Sequence, residues 1–392
     1  MIVTRLELTD FRNYENAAVD LVAGSNLFVG RNGQGKTNLV ESLGYLSTLT
    51  SHRVSSDQAM IRQGMESAII RARLEHDSRS VLAEVQLNRA GANRAQVNRS
   101  AIRTRELPRF FSSVLFAPED LALVRGEPGG RRRFLDELLV LRTPRMAGVL
   151  ADYERVVKQR NALLKSARAS GLRAERLSTL DLWDDRLVLF GSEIVAARSR
   201  LVADLQPEVR AAYRDVAGDD HRVRLAGRLS ILGQSPSSEP DPAGSDDPGS
   251  DPHSEPVSMD VATEAFRASI ERMRPTELDR AITLVGPHRD DLFLELNGLP
   301  ARGYASHGES WSFALSLKLA SAGLLRRESP LGDPVMILDD VFAELDRGRR
   351  ARLAGAVADF AQVLITAAVL EDVPDELAAN TVTIDSGRIV GA

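Results

Sequence analysis

Cysteine is absent from the 392-residue chain, which removes disulfides, thiolate metal sites and cysteine nucleophiles together and suits a reducing compartment. Long apolar runs are missing as well. The longest notable one, residues 363–370, has Thr366 inside it and falls far short of the roughly 20 residues that span a bilayer. The first ten residues alternate apolar and polar side chains and lack the apolar block of a signal peptide. These absences predict a soluble, cytoplasmic protein with no membrane partner.

Lysine is scarce: Lys36, Lys158, Lys165 and Lys318 are the only four, so arginine supplies nearly all of the 50 basic residues. A net charge of −5 argues at first against a nucleic-acid partner. Residues 233–258, however, hold six acids and no Lys or Arg, and without them the chain carries no negative excess. From Arg53 to Arg109 there are eleven arginines against six acids, and local patches of this kind govern phosphate attraction. A coding bias toward arginine explains the same composition, so the patch is compatible with DNA and does not establish it. Arg53, Arg62, Arg71 and Arg73 are its candidate phosphate contacts.

The hydrophobic pattern changes twice along the chain. Residues 1–9, 17–22 and 26–29 read as strands, and Leu39, Val40, Leu43 and Leu46 then repeat at helical spacing. Residues 68–75, 81–87 and 94–98 suggest an antiparallel meander, followed by a strand at 114–116. Residues 131–141, 145–168, 180–216 and 261–274 carry helical spacing, with Pro144 and Pro207 near starts or a break and the pattern changing after Pro275. The Pro/Ser/Gly/Asp-rich segment 233–258 buries too little apolar surface to fold and reads as a disordered insertion. Buried parallel strands are expected again at 336–338 and 363–365, with a hairpin at 382–390. The expected architecture is α/β: a discontinuous domain of residues 1–120 and 276–392, with an antiparallel β subdomain, interrupted by a helical lobe at 121–275.

Gly30-Arg31-Asn32-Gly33-Gln34-Gly35-Lys36-Thr37 matches the phosphate-binding loop G-x-x-x-x-G-K-[ST], between a buried strand and an apolar-striped helix. Glycines let backbone N–H groups converge on phosphates, the helix dipole adds positive potential, Lys36 reaches the β- and γ-phosphates, and Thr37 ligates Mg²⁺. ATP and Mg²⁺ are the cofactors this predicts. The apolar run 335–338 ends in Asp339-Asp340, acids placed where ligands collect at the carboxyl edge of a parallel sheet. Asp339 is the metal candidate, and Asp340 the candidate to orient or deprotonate an attacking water. Ser306-His307-Gly308-Glu309 opens another helical stretch. It reads either as a capping box or as a second phosphate contact made by Ser306, Gly308 and Glu309.

In this order, with Glu344-Leu345-Asp346 after the acidic strand, the set resembles the ABC/SMC ATPase head. Further segments narrow the match: Leu8-Thr9-Asp10-Phe11-Arg12-Asn13-Tyr14, Ser51-His52-Arg53, Phe116-Ala117-Pro118-Glu119-Asp120-Leu121, Arg131-Arg132-Arg133-Phe134-Leu135-Asp136 and Gly286-Pro287-His288-Arg289-Asp290-Asp291. They cover nearly the whole chain apart from 233–258 and resemble the RecF family. The resemblance implies an ATP-binding head with a short helical arm. It also implies an ATP-dependent homodimer in which Ser306 and Gly308 of one copy meet the γ-phosphate on the loop 30–37 of the other. Binding to single- and double-stranded DNA at gaps and junctions follows from the family, as do RecO and RecR as partners and RecA loading. Slow hydrolysis would serve as a switch.

Two departures bear on this. Glu309 stands where many ABC heads have Gln and His307 where they have Gly, and Thr366-Ala367-Ala368 occupies the place of a transporter's sensing His. Thr366 then either contacts a phosphate-bound water or caps its strand. Arg131-Arg132-Arg133 either meets DNA or forms a solvated face, and His288 with Asp290-Asp291 reads as a polar loop before a metal site. An SMC-like tethering ATPase would need a long coiled coil, a transporter subunit would lack the large helical module, and a metabolic kinase would lack the Ser306–Glu309 turn.

Overall fold

The computed structural model describes residues 1–77, 79–170, 178–218, 221–234, 255–329 and 331–390. β1 (Ile2–Phe11) and β2 (Tyr14–Asp20) form a hairpin across Arg12-Asn13, starting earlier than the expected 17 because buried Tyr14 pairs with Phe11. β3 (Gly24–Val29) runs through the glycine loop into α1 (Lys36–Thr48), which buries Leu39, Val40, Leu43 and Leu46. β4 (Ser67–His76), β5 (Arg79–Asn88), β6 (Arg94–Val97) and β7 (Ser100–Ile102) make the meander. β7 lies outside the expectation, since its turn uses Asn98 and Arg99 at φ 50° and 66° with no glycine to announce it. β8 (Ser113–Phe116) follows.

The helical stretch comprises α2 (Pro128–Arg142), α3 (Met146–Ala169) and α4 (Ser178–Ala217). β9 (Val223–Arg228), α5 (Met259–Arg280), β10 (Asp291–Leu296) and β11 (Leu299–Pro300) come next. α5 continues through Pro275: Glu277, two residues on, is buried and accepts from Arg160 and from the Leu284 N–H, which holds the last turn in place. α6 (His307–Glu328), β12 (Val335–Asp339), α7 (Arg347–Val357), β13 (Gln362–Ala367), β14 (Asn380–Asp385) and β15 (Arg388–Val390) complete the chain.

The chain divides into two compact units. The first comprises Met1–Leu121, Ala211–Asp220 and Gly308–Ala392. It holds an antiparallel sheet ordered β2-β1-β4-β5-β6-β7 and a second sheet ordered β15-β14-β3-β13-β12-β8, parallel from β14 to β8. One core joins the sheets and α1, with Phe11, Phe28, Leu43, Ile70, Ile337 and Leu364 among its members. Buried Gln362 links the sheets, accepting from Val3 N–H and donating to Val3 and Val22 carbonyls at 2.8–2.9 Å.

The second unit comprises Ala122–Arg210 and His221–His307. Its core packs Tyr153, Val156, Leu187, Ile194, Phe266 and Ile270, beside the sheet β11-β10-β9. The expected boundary at 276 moves to 308, because β10 pairs antiparallel with β9 from Asp291↔Arg228 to Leu296↔Val223. Residues 211–220 join the first unit, where Arg352 donates to the Val216 carbonyl at 2.8 Å. Most of the expected insertion at 233–258, residues 235–254, lies outside the described residues.

Candidate nucleotide site

The glycine loop sits where three parallel strands end, and each glycine has a local reason. A Cβ on Gly30 would lie 2.2 Å from the Ile384 carbonyl oxygen, so a side chain there would displace β14. Gly35 has φ 118°, and a Cβ would meet Asn13 and Tyr14 at 2.7–2.9 Å. The β1–β2 turn clamps the loop: Asn13 donates to the Gln34 carbonyl at 3.0 Å and Tyr14 to the Gly35 carbonyl at 3.1 Å. From the other side, Gly387 N–H donates to the Gln34 carbonyl at 2.9 Å, and Ser386 N–H to the Gln34 side chain. Lys36 is buried, its Nζ donating to the carbonyls of Gly30 at 2.7 Å and Arg31 at 3.3 Å.

The acidic strand end meets this loop directly. Thr37 donates from Oγ1 to Asp339 Oδ1 at 3.0 Å, joining residues 302 positions apart. Thr366 at the end of β13 donates to the same oxygen at 2.6 Å and accepts from Asp340 N–H at 2.9 Å. Thr366 therefore sets the geometry of both acids. Asp340 has φ 52°, a conformation that turns the chain sharply after β12. Burial pushes the Asp339 carboxyl up to about 6, with the Asp340 charge adding to the rise and the Thr366 and Thr37 hydroxyls opposing it.

A second layer braces α1. Glu41 is buried, accepts from Arg12 Nη2 and Nε at 2.6 and 2.9 Å, and accepts from Ser51 Oγ at 2.5 Å. Arg53 donates to Asn38 at 2.8 Å, and Asn38 donates to Asn13 at 2.8 Å. These bonds hold His52 with Nε2 3.9 Å from Asp339 Oδ2. Burial keeps the His52 imidazole below its ordinary pKa, against the pull of Glu41, Glu119 and Asp120.

The structure brings loop 30–37, Asp339 and Asp340 together. The turn Ser306–Glu309 opens α6, with Ser306 exposed. A Cβ on Gly308 would lie 2.6 Å from an Arg349 nitrogen, so the arginine of α7 packs on that glycine. Of the arginine patch, Arg62 is paired with Asp10 and Glu15, and Arg71 with Glu7 and Glu84. Arg53 braces α1, and Arg73 is exposed on β4. Arg131 corrects the expectation of a solvated or DNA-facing stretch: it is buried and bonded to Asp291 at 2.7 and 2.8 Å. Among the described residues no group of His, Cys, Asp and Glu is arranged to hold a metal on its own, and Asp290 instead accepts from Ser230. Arg12 and Thr366 stand out in the sequence and Glu41 does not, and the partners of all three depend on tertiary contact.

These features define an ABC/SMC-type ATPase head. A family model described as RecF/RecN/SMC N terminal domain matches residues 2–384. The fold is also that of an Smc head solved with the C-winged helix domain of ScpA, at TM-score 0.54 and 14% identity, covering 100% of this chain and 97% of that one.

The match then narrows. The chain is 65% identical over 392 residues to a DNA replication and repair protein RecF of Clavibacter sepedonicus, covering 100% of this chain and 95% of the relative. A solved structure of the recombination mediator protein RecF with ATP in the RecFOR pathway aligns at TM-score 0.84 and 25% identity, covering 99% of this chain and 96% of that one. The chain belongs to the RecF family. Among the described residues no helix is long and apolar enough to cross a membrane.

Proposed function

We propose that this chain is an ATP- and Mg²⁺-binding protein of DNA replication and repair, whose heads close in pairs around nucleotide on gapped or junction DNA. The observation that carries the reading is the Thr37–Asp339 bond, which places a loop hydroxyl and a strand-end carboxylate at one point. Those oxygens, with Asp340 beside them, fit Mg²⁺, a hard cation that takes oxygen donors and keeps waters. When bound, the cation neutralises phosphate charge. The chain's own residues do the rest. Lys36 exchanges the Gly30 and Arg31 carbonyls for phosphate oxygens, Thr37 and Asp339 hold the cation, and Asp340 orients the attacking water.

Each site is completed by a second copy, whose Ser306, Gly308 and Glu309 present a hydroxyl, an N–H and a helix start to the γ-phosphate. Hydrolysis ends the closed state, so ATP works as a switch. The outer face of the antiparallel sheet is the proposed DNA contact: it carries a groove of about 450 Å³ where Arg5, Arg71, Arg73 and Arg99 outnumber Glu7 and Glu84. Arg73 lies opposite Arg5 across the β1–β4 pair; Arg5 is held by Glu7 and Asp20, so Arg73 is the side chain this reading offers to phosphate. RecR and RecO as partners, RecA loading and a cytoplasmic setting belong to this reading on the strength of the family resemblance alone.

Sedimentation with a gapped duplex tests the scheme. The parent chain is expected to double in mass when ATP is added, and the Ser306→Arg variant to bind ATP yet stay single. An unchanged parent mass in saturating ATP on gapped DNA would remove the paired-head reading.

A further inference from the structure

His52 is a motif residue to which the scheme above gives no task. Its surroundings are built. Ser51 is tied to Glu41 and accepts the N–H groups of Arg53 and Val54 at 3.0 and 3.1 Å, while Arg53 is tied to Asn38. The loop is thus stapled along the first two turns of α1, on either side of the histidine. The ring is delivered into the first unit's polar edge, its side chain 18% exposed, with the charged groups Glu41, Glu119, Asp120 and Lys318 around it.

Two details turn this placement into a function. Asp339 uses its two oxygens differently: Oδ1 accepts from both Thr37 and Thr366, whereas Oδ2 is turned toward His52 Nε2 at 3.9 Å. His52 Nε2 is itself buried and has no hydrogen-bond partner among the described residues. A buried ring nitrogen left without a partner is costly, and a movement of about 1 Å would bring it into hydrogen-bond range of Oδ2.

We infer that His52 is a positioning residue of the metal–nucleotide site: its Nε2 holds the Oδ2 side of Asp339 and so fixes the face of the carboxylate offered to the cation. The inference rests on the nucleotide reading above. It predicts a defect in metal use rather than in nucleotide grip, because His52 faces Asp339 Oδ2 whereas Lys36 bonds the Gly30 and Arg31 carbonyls of the loop. Partners that orient a ligating carboxylate typically change metal affinity by about 10–100-fold when removed.

The test uses the full chain and a fluorescent ATP analogue, titrated in EDTA and again over a series of Mg²⁺ concentrations. For His52→Ala, analogue affinity in EDTA is expected to match the parent within about twofold, while the Mg²⁺ needed for half-maximal tightening rises about tenfold or more. His52→Gln, which keeps a side-chain donor, is expected to recover part of that loss. A structural role alone would lower affinity equally with and without Mg²⁺, and that result overturns the inference. So does a His52→Ala variant whose Mg²⁺ requirement equals the parent's. A parent chain that shows no Mg²⁺-dependent binding takes down the nucleotide reading itself, a separate and recognisable failure.

Discussion

Asp339 in the first unit and Asp290 in the second are both buried, and burial pushes both carboxyls up to about 6. Their neighbours differ. Asp339 is bonded to the hydroxyls of Thr37 and Thr366, and the charges beside it, Asp340 and Glu119, are of its own sign. Asp290 is bonded to Ser230 N–H and Oγ at 2.8 Å, and the charges beside it are the guanidiniums of Arg198 and Arg132. An acid already faced by arginine has its counter-charge within the fold. One faced by hydroxyls and other acids is prepared for a cation from outside. A raised carboxyl pKa therefore does not separate ligand site from scaffold, whereas the sign of the surrounding charge does.

The sharpest way to break this contrast is to remove a guanidinium from the second unit. Arg160 is fully buried and bonded to Asp184 and Glu277 at 2.6 Å and to Thr283 at 3.0 Å. Arg160→Ala leaves Glu277 buried without its cation, an expected loss of about 3–5 kcal/mol measured by urea unfolding. If the loss were under 1 kcal/mol, the second unit's ion pairs would not be scaffold. In the first unit, Lys36→Ala gives up its bonds to the Gly30 and Arg31 carbonyls, an expected loss of about 1–2 kcal/mol, and weakens ATP by about 10–100-fold, the worth of one charge-assisted bond to phosphate. Isothermal titration distinguishes that from a general loss of fold.

The sequence made these two regions unequally legible. Loop 30–37 is readable because eight adjacent residues and a flanking periodicity carry its whole mechanism. Asp339 is readable because a strand-end acid announces itself within six residues. Glu41, His52 and Thr366 are not, since what each does depends on a partner brought from elsewhere, such as Arg12 from the β1–β2 turn. The second unit suffers most from this. The arginine triplet at 131–133 looks the same on paper whether it meets solvent, DNA or Asp291, and only tertiary contact chooses. The domain boundary failed for a related reason: β9 and β10 pair across more than sixty residues, so neither short strand is marked by its neighbours. Pro275 misled because local propensity yields when a buried acid anchors the next turn.

The smallest effect sharpens the contrast most. Asp290 holds its proton more tightly in the fold than in the open chain. Its contribution to stability is therefore full below about pH 4 and lost as pH rises through about 6, at most about 3 kcal/mol. His288, held down to about 4 by burial, acts in the opposite sense: its contribution is full above about 6.5 and lost as pH falls through about 4. In the parent chain the two trends offset each other across that window. Asp290→Asn keeps the acceptor that Ser230 uses and removes the titration, so the variant is expected to gain stability steadily from pH 4 to 6.5. At pH 7 it should exceed the parent by about 1–2 kcal/mol, below the ceiling because the new amide also has to be satisfied. Denaturation midpoints taken across this range decide it. Parallel curves for parent and variant would mean that Arg132 and Arg198 already hold Asp290 ionised throughout, which would make the second unit's acid still less like Asp339.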